Sequence, residues 1–297
     1  MRYISVAEFA DKHNIAERTA RHYCACGKID GAFLTGKTWN IPQDAPLPPR
    51  SRKQSKEMPL LTILREQMTT GTKGGIYHKT QISLTYNSNH IEGSRLTEEQ
   101  TRHIFETQSI IADTAAARID DIIETNNHFR CVDYIIQHAL TPLSESMICE
   151  LHRLLKNNTS DSTLSWFAVG AYKRVENEVG GMDTTPPHLV HQELQKLITR
   201  YNRIKKKSFD DILDFHHAFE CIHPFQDGNG RVGRLIMFKE CLAHHIVPFI
   251  ITDSLKAFYY RGLANWPKLP GYLRDTCLTA QDNYKLWLAK FGIRFCT

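Results

Sequence analysis

The chain has 297 residues, enough for one large domain or for a large domain accompanied by a small one. A hydrophobic content of 41% with 23% charged residues is typical of a soluble globular protein. No apolar run approaches the roughly 20 residues of a membrane-spanning helix. The charged N-terminal stretch also lacks the apolar core of a signal peptide, so we expect a cytoplasmic protein with no membrane partner.

Basic residues are concentrated at the start of the chain. Residues 1–57 contain ten Lys/Arg and six Asp/Glu, a net charge of +4, whereas residues 58–297 contain 27 and 26, a net charge of +1. Between these regions, residues 43–57 are rich in proline and charge, which is typical of an exposed linker. The composition therefore predicts three parts, which are a small basic domain over 1–45, a linker over 46–58 and a large domain over 59–297.

The small domain is predicted to contain two short helices followed by a hairpin. A break at residues 13–14 separates the helices, the second of which begins near Glu17, and β-prone pieces follow at 32–34 and 38–41. Over about residues 3–42 this order resembles the winged helix-turn-helix of the excisionase and MerR-like DNA-binding families. The resemblance implies that the second helix binds double-stranded DNA. The side chains that it would place at the DNA are Arg18, Thr19, Arg21 and His22.

A second interpretation of this region is a helical cap that packs on the large domain or on a second subunit. The hairpin and the basic excess favour DNA binding over that cap, because phosphate backbones attract positively charged surfaces. The sequence leaves open whether the chain forms a homodimer.

The large domain is predicted to be mainly helical. Apolar residues recur at helical spacing in four long segments, 114–139, 144–158, 188–207 and 209–222. A different pattern lies between the second and third of these segments, where glycines and a double proline bound a short β-prone stretch. We expect a β-hairpin there, built from Tyr172, Val175 and Val179.

The segment HPFQDGNGRVGR, residues 223–234, combines residue types that suit phosphate chemistry. Its Gly228-Asn229-Gly230 turn precedes a predicted helix, so consecutive backbone N–H groups can form an anion-binding nest. Asp227 lies at the edge of that nest, where a carboxylate that faces a phosphate needs a bridging cation. Mg²⁺ fits this position, because it typically uses one or two carboxylates together with phosphate oxygens.

The same segment offers a base and two cations. His223, whose ordinary pKa of about 6.5 suits neutral pH, can deprotonate an incoming hydroxyl. Arg231 and Arg234 lie three apart on the predicted helix, so both can bind phosphate oxygens. A packed histidine beside an ordinary turn is the alternative interpretation. So many suitable residue types within one short segment favour a functional site.

This segment resembles the signature of the Fic family, HPFx[DE]GNGRxxR, at every defined position. Two further stretches resemble Fic proteins. Residues 170–181, followed by a double proline, resemble the β-hairpin flap, and residues 254–266 resemble the region downstream of the active-site helix. The resemblance covers about residues 60–290. It implies a helical Fic fold and a nucleotidyltransferase that moves AMP from ATP to a Ser, Thr or Tyr hydroxyl of a target protein, with release of pyrophosphate.

The resemblance also implies a role for each residue of the site. His223 would deprotonate the target hydroxyl, Asp227 would bind Mg²⁺, and Arg234 would hold the γ-phosphate of ATP. The remaining nucleotide contacts would come from Gly228, Asn229, Gly230, Arg231, Tyr259 and Tyr260. The flap would hold the target's backbone by adding a strand to it. The flap residues in question are Tyr172, Val175, Val179 and Gly180.

The sequence SNHIEG, residues 88–93, suggests a regulatory element. Ser88 and Glu92 are four apart and share a helical face, and Gly93 suits a helix end. Taken alone, these residues predict a solvated glutamate before a capping glycine. Beside the signature, they resemble the family's inhibitory motif [ST]xxxE[GN]. That resemblance implies an inhibitory helix near 83–93 whose Glu92 pairs with Arg234, so that ATP binds with its α-phosphate misaligned for attack.

Three functions are compatible with the sequence. The leading hypothesis is a self-inhibited protein adenylyltransferase with a DNA-binding appendage. A second enzyme of the same fold would remove AMP or transfer another phosphate-containing group. The third is a DNA-binding regulator that uses the Fic body as a sensor, and the presence of His223, Asp227 and Arg234 together argues against it.

Overall fold

A computed structural model describes residues 2–25, 27–36, 38–48, 59–110 and 117–293. Most of the predicted linker, residues 49–58, lies outside the described residues, as does the start of the first predicted long helical segment, 114–116. The chain divides into two compact units, Met1–Lys56 and Glu57–Thr297. Within the described ranges, no helix is both long and apolar enough to cross a membrane.

The smaller unit contains two helices and a three-stranded antiparallel sheet of order β1-β3-β2. Its first helix is fixed at the N-terminus by a capping box, in which Ser5 and Glu8 bond to each other's backbone N–H groups. Asn14, at φ 49°, then turns the chain into the second helix. The elements in chain order are β1 (Tyr3–Ile4), α1 (Val6–Lys12), α2 (Glu17–Ala25), β2 (Phe33–Thr35) and β3 (Thr38–Pro42).

The predicted helices and hairpin of this unit are therefore present, and the two-residue strand β1 is added to them. Both helices pack on β3 around a small apolar core. Its fully buried members include Val6, Phe9, Ala10, Ala20 and Ile41. The likeness of these elements to a winged helix-turn-helix stays a prediction.

The larger unit is helical apart from one short hairpin. Its helices are α3 (Pro59–Thr70), α4 (Ile76–Ile91), α5 (Glu98–Thr107), α6 (Ile119–Gln137), α7 (Glu145–Lys156), α8 (Pro187–Arg203), α9 (Phe209–Ile222), α10 (Asn229–Ala243), α11 (Lys256–Asn265) and α12 (Pro270–Lys290). The hairpin consists of β4 (Glu178–Val179) and β5 (Met182–Asp183), with Val179 opposite Met182. The prediction of a mainly helical domain with a short hairpin is confirmed.

Helix α10 lies at the centre of this unit and contacts α4, α6, α7 and α9. Almost every residue between Arg231 and Leu242 is buried, so this helix is apolar or paired on all sides. Because the signature segment forms the turn before α10 and its first two turns, the core of the domain holds that segment in place.

Two sequence predictions need correction here. The predicted hairpin included Tyr172 and Val175, but the strands begin only at Glu178. Residues 170–177 instead run along the body of the domain, where Tyr172 is anchored by side-chain contacts rather than by strand pairing. Residues 114–139 were predicted to form one amphipathic helix, but Ile119 in that segment is exposed, because α6 begins at this residue and its first turn faces solvent.

Candidate functional site

The loop between α9 and α10 is closed by its own side chains. His223 ends α9 in the left-handed region at φ 51°, and its N–H donates to the carbonyl of Phe219. Asn229 then spans the loop, because its amide accepts from the N–H of Phe225 and donates to the carbonyl of the same residue, both at 2.8 Å. Phe225 is fully buried and stacks on His152, with ring centroids 4.0 Å apart. The side chain of Asn229 thus serves the loop, which leaves its backbone N–H for an anion.

Gly228 is required by the backbone at the start of α10. Its φ of 84° is strained for any residue with a Cβ, and an added Cβ would lie 3.2 Å from Leu155 Cδ2. We expect Gly228→Ala to lower the free energy of unfolding by about 1–2 kcal/mol in urea titrations. Gly271→Ala, in ordinary helical backbone with open space, is the control and should not destabilise the protein. Equal effects of both substitutions would contradict a conformational requirement at Gly228.

His223 is placed to accept a proton. Its Nδ1 lies 3.3 Å from the carbonyl oxygen of Glu220, so Nδ1 carries the hydrogen and Nε2 is left as the basic nitrogen. Burial lowers the pKa of His223, and the charge of Lys173 lowers it further, while the Glu220 carbonyl, Glu92 and Asp227 act in the opposite direction. The ring is therefore neutral at pH 7, as a general base must be.

Asp227 belongs to a buried network of charges that the sequence did not reveal. Lys156, at the end of α7, is buried, and its ammonium donates to three carboxylates, Glu124 (2.5 Å), Asp227 (2.7 Å) and Asp161 (3.0 Å). Arg231 donates to Asp227 Oδ2 at 2.9 Å and also to Glu124. Burial raises the pKa of Asp227, but Arg231 and Lys156 outweigh it and hold that pKa well below its usual range.

The carboxylate of Asp227 fits the predicted magnesium ligand. Its side chain is 47% exposed although its cationic neighbours are buried, so a cation that arrives with a phosphate can reach it. Mg²⁺ needs only one or two carboxylates when phosphates and waters supply the other oxygens. Across the described ranges, no three His, Cys, Asp or Glu side chains form a metal-binding group.

Arg231 and Arg234 have different environments, although the sequence suggested that both bind phosphate. Arg231 is buried and is committed to Glu124 and Asp227. Arg231 thus bonds to the predicted metal ligand, and its contact with a phosphate stays a prediction. Arg234 is the arginine that pairs with the predicted inhibitory segment.

The predicted inhibitory residues surround Arg234. Nε of Arg234 donates to Ser88 Oγ at 3.0 Å, and its NH2 group donates to the Ser88 carbonyl at 2.9 Å and to Glu92 Oε1 at 2.7 Å. Glu92 caps the C-terminus of α4, and Gly93 follows at φ 96° with open space around it. An added Cβ at Gly230 would collide with the Glu92 carboxylate and with Arg234, so this glycine makes room for the pair.

The two predicted nucleotide-pocket tyrosines differ in exposure. Tyr259 is only 1% exposed and lies in an apolar cluster, where its hydroxyl is 2.5 Å from His216 Nε2. That placement argues against contact between Tyr259 and a nucleotide base. Tyr260 is 43% exposed and its ring lies 5.5 Å from that of Tyr259, so only Tyr260 presents an aromatic surface.

The flap is attached to the domain by the residues that precede it. The hydroxyl of Tyr172 donates to Glu145 at 2.6 Å, and the N–H of the exposed Val175 donates to the Gln226 side chain at 3.3 Å. Gly180 and Gly181, at φ 58° and 75°, form the two-residue turn that antiparallel strands favour. The side chain of Val179 lies outside the described residues.

The predicted DNA-contacting residues lie on α2 of the smaller unit. Arg18, Arg21 and His22 are exposed, and Thr19 is half-buried. Ala20 and Cys24 hold the opposite side of the helix in the core. The exposed side of α2 therefore presents the predicted set, and its role with DNA remains a prediction.

Sequence reasoning missed four charged or polar residues at the site, Glu124, His152, Lys156 and Lys173. One signal was available for three of them, because a charged or polar side chain on the core-facing side of an amphipathic helix needs a partner. In α7, for example, His152 and Lys156 share a face with the buried Leu151 and Leu155. Lys173 lies in irregular chain, where no such periodicity exists.

Comparison with known proteins shows which proteins this chain resembles. The model of the Fic/DOC family matches residues 142–241. The protein adenylyltransferase fic-1 of Caenorhabditis elegans is 25% identical over 202 residues, which cover 66% of this chain and 39% of that protein. The protein adenylyltransferase Fic of Nematostella vectensis is 22% identical over 98% of this chain and 68% of its own length. The chain thus spans about two fifths of the length of the nematode relative.

Solved structures show the same fold. A Fic-domain signalling protein from Bacteroides thetaiotaomicron has a TM-score of 0.58 at 24% identity and covers 78% of this chain and 91% of its own. Fic-1 of C. elegans has a TM-score of 0.63 at 20% identity and covers 78% of this chain and 71% of its own. The larger unit therefore has the mainly helical Fic fold, and residues 142–241 within it match the model of the Fic/DOC family.

Proposed function

We propose that this chain is a protein adenylyltransferase that transfers AMP from ATP to a hydroxyl side chain and that is inhibited by its own Glu92. The observation that carries the proposal is the ion pair of 2.7 Å between Glu92 and Arg234. Arg234 lies eleven positions after His223, which is half-buried and neutral. The site offers a base, an ionised carboxylate and a phosphate-binding arginine, and one carboxylate occupies that arginine. The names of the relatives support the same reaction class.

The chemistry follows from these residues. Nε2 of His223 takes the proton of a Ser, Thr or Tyr hydroxyl as the oxygen attacks the α-phosphorus of ATP. The bond from that phosphorus to the bridging oxygen breaks, and pyrophosphate leaves. The turn at 228–230 directs backbone N–H groups at the phosphates, and Arg234 binds the γ-phosphate once it is free. Mg²⁺ at Asp227 would offset the negative charge of the phosphates.

Glu92 prevents this reaction by competing with the nucleotide. Arg234 is buried, so it cannot turn to a phosphate while it also bonds to Ser88 and Glu92. An unheld γ-phosphate leaves the α-phosphorus out of line with the incoming hydroxyl, and small misplacements of that kind lower rates by about 100-fold. Removal of the Glu92 carboxylate frees Arg234 for the γ-phosphate.

Mass spectrometry of the protein after incubation with ATP and Mg²⁺ tests this proposal. We expect Glu92→Gly to acquire AMP at least about tenfold faster than the unaltered chain, and Glu92→Gly with His223→Ala to acquire it at least about 100-fold more slowly than Glu92→Gly. Glu99→Gly removes an exposed carboxylate of α5 and is the control, expected to behave as the unaltered chain. An unmodified protein in all four samples, with added candidate targets also unmodified, would refute AMP transfer.

Removal of AMP is the second candidate, because the carboxylate of Glu92 could align a water instead of a hydroxyl. It predicts the opposite response to substitution. A previously AMP-modified protein would lose AMP in the presence of the unaltered chain and would keep it with Glu92→Gly. If only this removal is observed, the chain is a hydrolase in which water attacks the phosphorus of the protein–AMP bond and releases AMP and the free hydroxyl.

We further propose that the smaller unit binds double-stranded DNA through α2. Support comes from the exposed Arg18 and Arg21 and from the net charge of +4 over residues 1–57. Binding to a duplex should weaken steeply as the salt concentration rises. The double substitution Arg18→Ala with Arg21→Ala should lower the slope of log binding constant against log salt concentration by about two, one for each lost phosphate contact. Lack of duplex binding at low salt in gel-shift assays would exclude this role. A DNA-binding chain that neither adds nor removes AMP would favour the regulator.

A further inference from the structure

Lys173 is a buried cation at the base of the flap. Its side chain is 3% exposed, and its ammonium donates to Asn177 Oδ1 at 2.6 Å and to Thr184 Oγ1 at 2.5 Å. Both of these partners, an amide oxygen and a hydroxyl oxygen, are uncharged. Burial lowers the pKa of Lys173 to about 8, and the nearby Glu176 only partly opposes this effect. A charge held away from water by neutral groups is costly, and such groups are concentrated at functional sites.

The contacts of Lys173 join the two sides of the flap. Asn177 directly precedes β4 and Thr184 directly follows β5, so one ammonium bridges the entry and the exit of the hairpin. The Thr184 hydroxyl completes the triangle by donating to the Asn177 carbonyl at 2.8 Å. The hairpin is only two residue pairs long, and an isolated two-stranded hairpin is marginally stable at best. The position of the hairpin therefore depends on the contacts among Lys173, Asn177 and Thr184.

The same residues bind the flap to the catalytic loop. The N–H of Lys173 donates to the Pro224 carbonyl at 2.8 Å, and the Asn177 amide donates to the Phe225 carbonyl at 3.0 Å. Both carbonyls lie directly after His223. Movement of Lys173 and Asn177 would thus displace the catalytic loop, which begins at the general base His223.

Lys173 also acts on His223 electrostatically. The charged groups that face this ring are Lys173 and the carboxylates of Glu92 and Asp227, and the Glu220 carbonyl accepts from its Nδ1. After burial, the Lys173 charge is the main cause of the lowered pKa of His223, because a nearby cation disfavours a second positive charge.

We propose that Lys173 is a positioning residue that fixes the flap to the catalytic loop and keeps His223 in its neutral, proton-accepting form. As an aid to catalysis this role rests on the proposed AMP transfer. The two physical effects, a restrained flap and a neutral histidine, can be measured without any reaction.

The first experiment compares the full-length chain with Lys173→Met and Lys173→Arg. NMR titration of labelled histidines reports the pKa of His223, and hydrogen–deuterium exchange reports opening of residues 177–184. We expect Lys173→Met to raise the pKa of His223 by about half a unit, the size of a screened unit charge nearby, and to speed exchange in the flap. Lys173→Arg keeps the positive charge and a hydrogen-bond donor. It should therefore leave the pKa of His223 unchanged and retain at least part of the protection of residues 177–184 from hydrogen exchange.

Lys196→Met is the matched control, because Lys196 is exposed on α8 and pairs with Glu193 of the same helix. It should change neither quantity. An unaltered pKa of His223 in Lys173→Met would overturn the electrostatic role, and unaltered exchange would overturn the link to the flap. If Lys173→Met does not fold, the direct test is Lys173→Gln, which removes the charge and keeps a donor.

The second experiment measures self-modification as a function of pH in the Glu92→Gly background. The rate should rise with pH through the pKa of His223, because only the neutral ring accepts a proton. Lys173→Met should shift this rise to higher pH by the same half unit, so its rate falls more at pH 6 than at pH 8, while Lys173→Arg does not shift it. A uniform fall at all pH values would contradict the proposal. Absence of transfer in Glu92→Gly alone would refute the proposed function, and titration and exchange would still decide the role of Lys173.

Discussion

Replacing His223 by alanine in the Glu92→Gly variant is expected to lower the rate of AMP transfer by about 100- to 10,000-fold, the range that a positioned general base contributes. The reason is specific to this ring. Its Nδ1 hydrogen is directed at the Glu220 carbonyl, so the proton acceptor is Nε2, and burial together with Lys173 keeps that nitrogen unprotonated at pH 7. His223 is the residue that ends α9, directly before the loop that leads to the 228–230 turn.

The rate of AMP transfer is measured with radiolabelled ATP. A separate ATP-binding assay shows whether a lower rate reflects weaker nucleotide binding instead. His223→Ala should bind ATP as Glu92→Gly does, because the phosphate contacts come from the turn and from Arg234. His138→Ala, at the exposed C-terminal end of α6, is the control and should transfer AMP at the Glu92→Gly rate. A loss of less than about tenfold for His223→Ala would show that another group accepts the proton.

The sequence predicted the local parts of this molecule well. Periodicity located the helices, because each amphipathic stripe is encoded within a few turns. The signature placed a base, a carboxylate and an arginine in one short segment, and the structure brings Glu92 to Arg234 as the resemblance implied. The hairpin was predicted too early in the chain, because the apolar Tyr172 and Val175 suit a strand, whereas side-chain contacts with Glu145 and Gln226 determine where they lie.

What the sequence could not predict is the long-range pairing of charges. Glu124 and Arg231 are separated by 107 positions, and Lys156 and Asp227 by 71. No local pattern connects residues so far apart, and a lysine on an apolar helix face is compatible with several partners. Lys173 lay in a stretch that was expected to be part of the flap, so its role in holding that flap became apparent only from its contacts.

These pairings give the two arginines of α10 separate functions in the proposed enzyme. Arg231 and Lys156 both donate to Oδ2 of Asp227, so the carboxylate is ionised and oriented before any ligand arrives. Arg234 faces α4 and pairs with Glu92, the residue that we propose as the inhibitor. The site is thus preorganised at the carboxylate, and the proposed regulation acts one helical turn further along.

The buried network around Lys156 predicts the largest effect on stability. Lys156→Met should lower the free energy of unfolding by about 3–5 kcal/mol, because removal of one partner leaves charges without compensation inside the protein. Glu124, which is largely buried, and Asp227 would then share only Arg231 as a cation. Methionine fills a similar volume, so the loss reports charge rather than a cavity. Urea unfolding measures this free energy.

A matched control and a second variant separate the network from ordinary surface charge. Lys196→Met removes an exposed ion pair and should change the free energy of unfolding by less than about 0.5 kcal/mol. Adding Glu124→Gln to Lys156→Met removes the carboxylate left without its lysine, so it should recover part of the lost stability. If Lys156→Met costs no more than the control, the five charges of the network are not coupled. If Glu124→Gln makes the loss larger, Glu124 stabilises the domain mainly through Arg231 rather than through Lys156.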